Sequence, residues 1–154
     1  MKFKVLILLI FFNFSFYESK SLSKEKKNIA ENQLVSLSIN GYKVSVEIAD
    51  TNKSREKGLM FRARLPENHG MLFKFDKNKI NCMWMKNTLI PLSVAFLDEN
   101  FIIVDIIQMN ALDKTPRCST KPARYAIEMN KNWFSKREIQ IYDGVLGIET
   151  VRNK

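Results

Sequence analysis

The stretch LVSLSINGYKVSVEIA, residues 34 to 49, constrains the fold more than any other part of the chain. Asn40-Gly41 separates two runs in which apolar and polar residues alternate, the signature of a two-residue type I′ hairpin turn. With Asn40 and Gly41 as the loop, Ile39 faces Tyr42, Leu37 faces Val44 and Val35 faces Val46, so the apolar partners share one side. Ser38 with Lys43 and Ser36 with Ser45 fill the other, which gives the hairpin one buried face and one wet face.

Short elements follow. Asp50 or Thr51 caps a helix of about two turns whose body is Asn52 to Lys57, and Gly58 ends it. Leu59, Met60 and Phe61 bring the chain back to the core, and Pro66, Glu67, Asn68, His69 and Gly70 form a turn-rich crossing. MLFKF reads as a short strand, Asp76 to Lys79 as a turn and INCMWM as another strand. SVAFL and FIIVDIIQM form a second hairpin around Asp98-Glu99-Asn100, the latter strand too apolar to expose both faces. Residues 110 to 121 are a loop with Pro116 and Cys118. RYAIEM admits two readings: Arg124 and Glu128 are spaced for an i,i+4 helix pair, whereas Tyr125, Ile127 and Met129 alternate as in a strand, and the strand is preferred. Asn130 then caps a short helix through about Arg137, and IQIYDGVLGI closes the chain with a turn at Asp143-Gly144. The sum is a mainly β fold, α+β at the margin: a single compact β-sandwich or jelly-roll-like domain over 34–154 with two short helices.

The start of the chain reads differently. Lys2 and Lys4 precede an apolar run from Val5 to Phe12, extended by Phe14 and Phe16, too short to span a bilayer comfortably. Residues 1–21 are therefore read as a cleavable signal peptide, cut after Ser21, and the protein as periplasmic or otherwise extracytoplasmic; an uncleaved N-terminal anchor is the alternative. Residues 22–33, LSKEKKNIAENQ, form a polar flexible leader. Losing Lys2, Lys4, Lys20 and Glu18 lowers the formal net charge from +9 to +7. That excess suits an anionic envelope polymer or small ligand, and equally a generic cationic surface. Scattered positive residues without interleaved aromatics argue against a nucleic-acid partner.

Two cysteines, Cys82 and Cys118, are present. In an oxidising compartment they either close a disulfide loop of about 35 residues or stay as two separately buried thiols.

At GLMFRARLPENHGMLFKF, MWMKNTLIPLSVAFLD and PARYAIEMN the chain resembles a widespread prokaryotic family known as domain of unknown function 192. The likeness covers roughly residues 35 to 148. It implies a single β-rich domain, often exported, of jelly-roll character, and no settled activity. The motif positions are Arg62, Gly70, Met71, Phe73, Trp84, Met85, Lys86, Asn87, Thr88, Pro91, Pro122, Ala123, Tyr125 and Glu128. Met83 stands where the family pattern often has Phe, and Ser93 where it usually has Asp. Glu138 and Tyr142 replace glycines of that pattern.

No familiar catalytic or metal motif appears. One histidine, His69, and two distant cysteines do not make a zinc set, and no cofactor fingerprint is present. Met83 and Met85 share a strand face and could bind Cu(I), although core filling is the plainer reading. The segment Trp84 to Thr88 combines an aromatic ring, a thioether, a cation, an amide and a hydroxyl, the mixture of apolar wall and orienting polar groups that small-ligand pockets use. Its plainer reading is a turn in which Asn87 and Thr88 bond their own backbone. Arg62 and Glu128 are expected beside it, either in the ligand site or as an ion pair fixing the loop. The expected function is binding of a small polar or anionic ligand, glycan-like in type, by Arg62, Trp84, Met85, Lys86, Asn87, Thr88 and Glu128. The rivals are an enzyme on an envelope polymer with Glu128 or Asp105 as acid or base, a Cu(I)-handling protein, and a protein-interaction module.

Overall fold

The computed structural model describes residues 34–152. The signal peptide and leader expected over 1–33 lie outside the described residues. Among the described residues no helix is long and apolar enough to cross a membrane.

Strands β1 (Val35–Ile39), β2 (Tyr42–Ala49), β3 (His69–Lys79), β5 (Leu92–Leu97), β6 (Ile103–Met109), β8 (Ala123–Asn130) and β9 (Val145–Leu146) form one curled sheet in the order β6-β5-β8-β3-β2-β1-β9. A separate ribbon pairs β4 (Cys82–Met83) with β7 (Arg117–Cys118). The helices are α1 (Asn52–Lys57) and α2 (Glu149–Arg152), so the fold is mainly β with two short helices.

The β1–β2 hairpin has the register that alternation dictates, from Ile39 opposite Tyr42 to Val35 opposite Val46. Asn40 and Gly41 both take the left-handed backbone that a type I′ turn demands, with φ of 48° and 83°. Thr51 caps α1: its hydroxyl accepts from the Ser54 N–H at 3.1 Å, and its own N–H donates to the Ser54 hydroxyl at 2.9 Å. Gly58 ends the helix with its N–H on the Ser54 carbonyl. This α1 crossover lets β3 run parallel to β2, whereas the other sheet pairings are antiparallel.

Both faces of the central strands are covered, which explains why β5 is buried along its whole length. Leu72, Ala95, Tyr125, Ile127 and Met129 face one core, closed by Trp133, Phe134, Ile139, Val145, Ile148 and Val151. Met71, Phe73, Val94, Phe96 and Ala126 face the other, closed by Leu59, Leu65, Met83 and Met85. The alternation in RYAIEM thus sorts β8 between two cores, and the strand reading holds.

Several expectations change. The closing turn falls at Ile141–Tyr142, with the Asp143 N–H on the Gln140 carbonyl, and Gly144 instead bridges to Ile102. Asp76 to Lys79 is not a turn but the exposed end of β3, which regains pairing at Lys79 opposite Ala123 after a register shift; polar residues there mark a strand facing water. Residues 130–137 are successive turns ending in a 3₁₀ turn at Ser135–Arg137, not a helix from Asn130. Consecutive Trp133 and Phe134 are both drawn into the core, and Glu138 leaves with a left-handed backbone. INCMWM keeps strand pairing only at Cys82–Met83, because the Met85 N–H goes to the Asp113 carbonyl at 2.9 Å.

Candidate functional site

The second core is roofed by residues 59–65 and 82–92, and the roof is incomplete. A cleft of about 260 Å³ opens between α1 and β4, lined by Leu59, Met60, Phe73, Phe75, Met83, Trp84, Cys82, Thr88 and Glu128, with Arg55, Glu56 and Lys57 at the α1 side.

Glu128 is its polar centre. Glu47, Met71, Glu128 and Val94 are successive cross-strand partners along one row of the sheet, so Glu128 points into the apolar side that Met71 and Val94 also face. Only 3% of the residue is exposed. It takes part in none of the side-chain hydrogen bonds of the described residues, yet none of their fully enclosed side-chain oxygens lacks a partner, so its carboxyl reaches the open space of the cleft. Burial pushes its pKa from the ordinary 4.5 up to about 8, against a smaller opposing pull from the Arg62 charge. At neutral pH the group is therefore mostly a carboxylic acid, able to donate one hydrogen bond and to accept others.

Thr88, also buried, stands at the cleft with its backbone already spent: its N–H donates to the Met85 carbonyl at 3.1 Å and its carbonyl accepts from the Leu112 N–H at 3.0 Å. The hydroxyl makes only a 3.5 Å contact to the Lys86 carbonyl, so it retains hydrogen-bonding capacity. Trp84 is 42% exposed, and the Lys86 ammonium lies 5.2 Å from its ring centroid, a cation–π pair.

The other expected residues do different work. Met85 is core. Asn87 takes a left-handed backbone, φ 57°, accepts the Phe61 N–H on its carbonyl at 2.9 Å and sends its amide toward the Met60 sulfur at 3.9 Å, pinning one roof segment to the other. Lys86 and Asn87 do not line the cleft. Arg62 is not paired with Glu128: its guanidinium forks onto both oxygens of Glu47, at 2.5 and 2.8 Å. Glu47 offers both oxygens to the guanidinium in the two-pronged geometry that favours an Arg–carboxylate pair. Asp105 accepts the Thr120 N–H at 2.9 Å and lies outside the cleft.

Of the residues singled out in the sequence, Trp84, Thr88 and Glu128 line the cleft, together with Met60, Phe73, Phe75 and the α1 residues, which the sequence did not point to as their neighbours. The Phe73/Phe75 alternation of MLFKF was the available signal. Ser93, at the position where the resemblance expects Asp, is fully buried and structural: it donates to the Gln108 side-chain oxygen at 2.7 Å and accepts the Asn132 N–H at 2.8 Å. The cysteines form a disulfide across the β4–β7 ribbon, which settles their two readings. Among the described residues no three of His, Cys, Asp and Glu converge as metal ligands.

The family model DUF192, described as Uncharacterized ACR, matches residues 35–146. Two crystal structures are similar. One is a protein of Sinorhizobium meliloti 1021 named provisionally as a transcription regulator, 30% identical, with a TM-score of 0.69 over 74% of this chain and 92% of that one. The other, a protein of unknown function from Novosphingobium aromaticivorans DSM 12444, is 29% identical, with a TM-score of 0.69 over 73% of this chain and 84% of that one. None of the curated proteins matches.

Proposed function

From the premise that the chain belongs to the domain of unknown function 192 family, we propose that it is an exported binding domain for a small polar or anionic ligand of glycan type, held in the Glu128 cleft. The observation that carries this reading is a carboxyl group almost wholly buried, free of hydrogen bonds and open to the cleft. A buried polar group without a partner costs stability, and a ligand hydroxyl or carbonyl would supply the missing bond. Thr88 offers a second hydrogen bond and Trp84 an aromatic face for the apolar side of a sugar ring. At the α1 rim Lys57 offers a cation beside Glu56, while Arg55 is held by Asp76 and by the Asp50 and Lys74 carbonyls. Export is supported by the Lys2/Lys4 and apolar pattern of residues 1–21 and by the disulfide, which belongs to oxidising compartments.

The test is titration of the folded chain with neutral, amino and acidic mono- and disaccharides, read by amide chemical shifts. Shifts at Thr88, Met83 and Glu128 are expected, weakened by about tenfold or more in Glu128→Leu, which loses the hydrogen bond, and largely kept in Glu128→Gln, whose amide still donates and accepts. Shifts confined to other surfaces, or none at millimolar sugar, would remove the reading.

One observation favours a second reading. A carboxyl whose pKa lies near 8 in a cleft is poised for general acid catalysis at neutral pH, so turnover of an envelope glycan with Glu128 as the acid is the alternative. Hydrolysis of such a polymer, lost in Glu128→Gln while binding persists, would replace the binding function with this one.

A further inference from the structure

We propose that the Cys82–Cys118 disulfide is a thiol–disulfide exchange site, opened and closed in the folded protein by an incoming dithiol. Both cysteines are exposed, and Cys82 lines the cleft, so a thiolate can reach the bond without unfolding the domain. Exposed disulfides are the labile, regulatory or catalytic ones, whereas structural staples resist reduction.

The ribbon is built to survive the loss of its bond. Cys82 and Cys118 are directly opposed in a two-stranded sheet separate from the main one. On one side of them the Ser119 N–H donates to the Asn81 carbonyl at 3.0 Å, and the Asn81 N–H donates to the Ser119 hydroxyl at 3.3 Å. The Asn81 amide also donates to the carbonyls of Lys77, Lys79 and Ala123, at 3.3, 3.3 and 2.7 Å, which anchors this end to β3 and β8. On the other side the Met85 N–H holds the Asp113 carbonyl. Asn81 and Ser119 are buried, so these bonds do not compete with water. The two thiols therefore stay face to face when the disulfide opens, and the pair can close again.

The chemistry balances with a dithiol as the reductant. Its thiolate attacks the Cys82 sulfur, the Cys82–Cys118 bond breaks, and the electron pair leaves on the Cys118 sulfur, which takes a proton. The second thiol of the reagent then attacks the mixed disulfide, Cys82 leaves as a thiolate and takes a proton, and the reagent departs as its own disulfide. Two electrons and two protons pass to the protein, and the reverse sequence oxidises it.

This inference does not depend on the ligand reading, since it needs only the two cysteines and access to them. The test incubates the full chain in native buffer with dithiothreitol and follows alkylation of both cysteines together with near-ultraviolet circular dichroism. Complete reduction is expected at a rate within about tenfold of that in guanidinium-unfolded protein, with the native spectrum kept and the disulfide restored by oxidised glutathione. Resistance until denaturant unfolds the chain, or loss of the native spectrum on reduction, would show a structural staple and overturn the proposal. Ser119→Ala, which removes one bond of the frame, is expected to slow re-closure several-fold while leaving the reduction rate unchanged. Equal re-closure would sink the argument from the frame.

Discussion

Glu47 and Glu128 flank Met71 on a single cross-strand row, and Arg62 forks onto the first of them alone. Two identical side chains one strand apart from the same neighbour thus meet different surroundings. Glu47 is held by the Arg62 guanidinium; Glu128, more deeply buried, holds its proton up to about 8.

The proton on Glu128 makes stability depend on pH with a definite sign. In the unfolded chain the group ionises near 4.5, whereas the folded protein holds the proton up to about 8. Between these values the native state binds more protons at this site, so the contribution of Glu128 to stability is greatest below pH 4.5, falls as pH rises through this window and levels off above it. Denaturant unfolding from pH 4.5 to 8.5 is expected to lose a few kcal/mol, roughly one for each pH unit. Glu128→Gln, neutral throughout, should remove that slope, and a slope unchanged in the variant would place its origin elsewhere.

Removing Arg62 acts on both glutamates. Arg62→Ala leaves Glu47 without the fork it accepts and frees residues 59–65, at an expected cost of about 1–2 kcal/mol, kept modest because the pair is partly solvated. It also takes away the charge that holds the Glu128 pKa down, so the midpoint of the pH dependence should move upward. Arg62→Lys should recover the charge effect but not the two-pronged bond. Comparing the pH profiles of the two variants separates these contributions.

Two glycines should respond to alanine for opposite reasons. A side chain at Gly41 would meet nothing within 4 Å, so Gly41→Ala loses only the ease of a left-handed backbone, about 1 kcal/mol. Gly70 has no such backbone requirement, but a Cβ there would run into the Glu128 carbonyl and the Met129 sulfur, forcing β3 away from β8. Overpacking at that junction should cost about 1–3 kcal/mol and disturb the cleft floor. Thermal unfolding gives the costs, and amide shifts at Glu128 should move only for Gly70→Ala.

The departures from the family pattern at Glu138 and Tyr142 fall where the backbone is left-handed, with φ of 55° and 80°. Glycine fits those positions without strain, and this chain holds them with bulkier residues. Glu138→Gly and Tyr142→Gly are each expected to raise stability by up to about 1 kcal/mol, the relief of the strain being partly offset by the entropy of a freer unfolded chain. Urea midpoints would check this, and a loss in both variants would show that contacts of the side chains outweigh the strain.

By itself the sequence determined what is decided between near neighbours. The register of β1 against β2, a capped helix starting at Asp50 or Thr51 and the alternation of β8 follow from turn chemistry and a period of two, forces that act within a few residues. The charged end of β3 misled because polarity marks water rather than a turn. Only the tertiary structure decided which glutamate Arg62 holds, that Glu128 lies closed off beside Trp84 and Thr88, and that Cys82 meets Cys118. Those partners stand 15 to 44 residues apart in the chain, and what joins them is the curl of one sheet and the roof folded over it. Burial and pairing at such separations are settled by packing the whole domain, and no local pattern of residues encodes them.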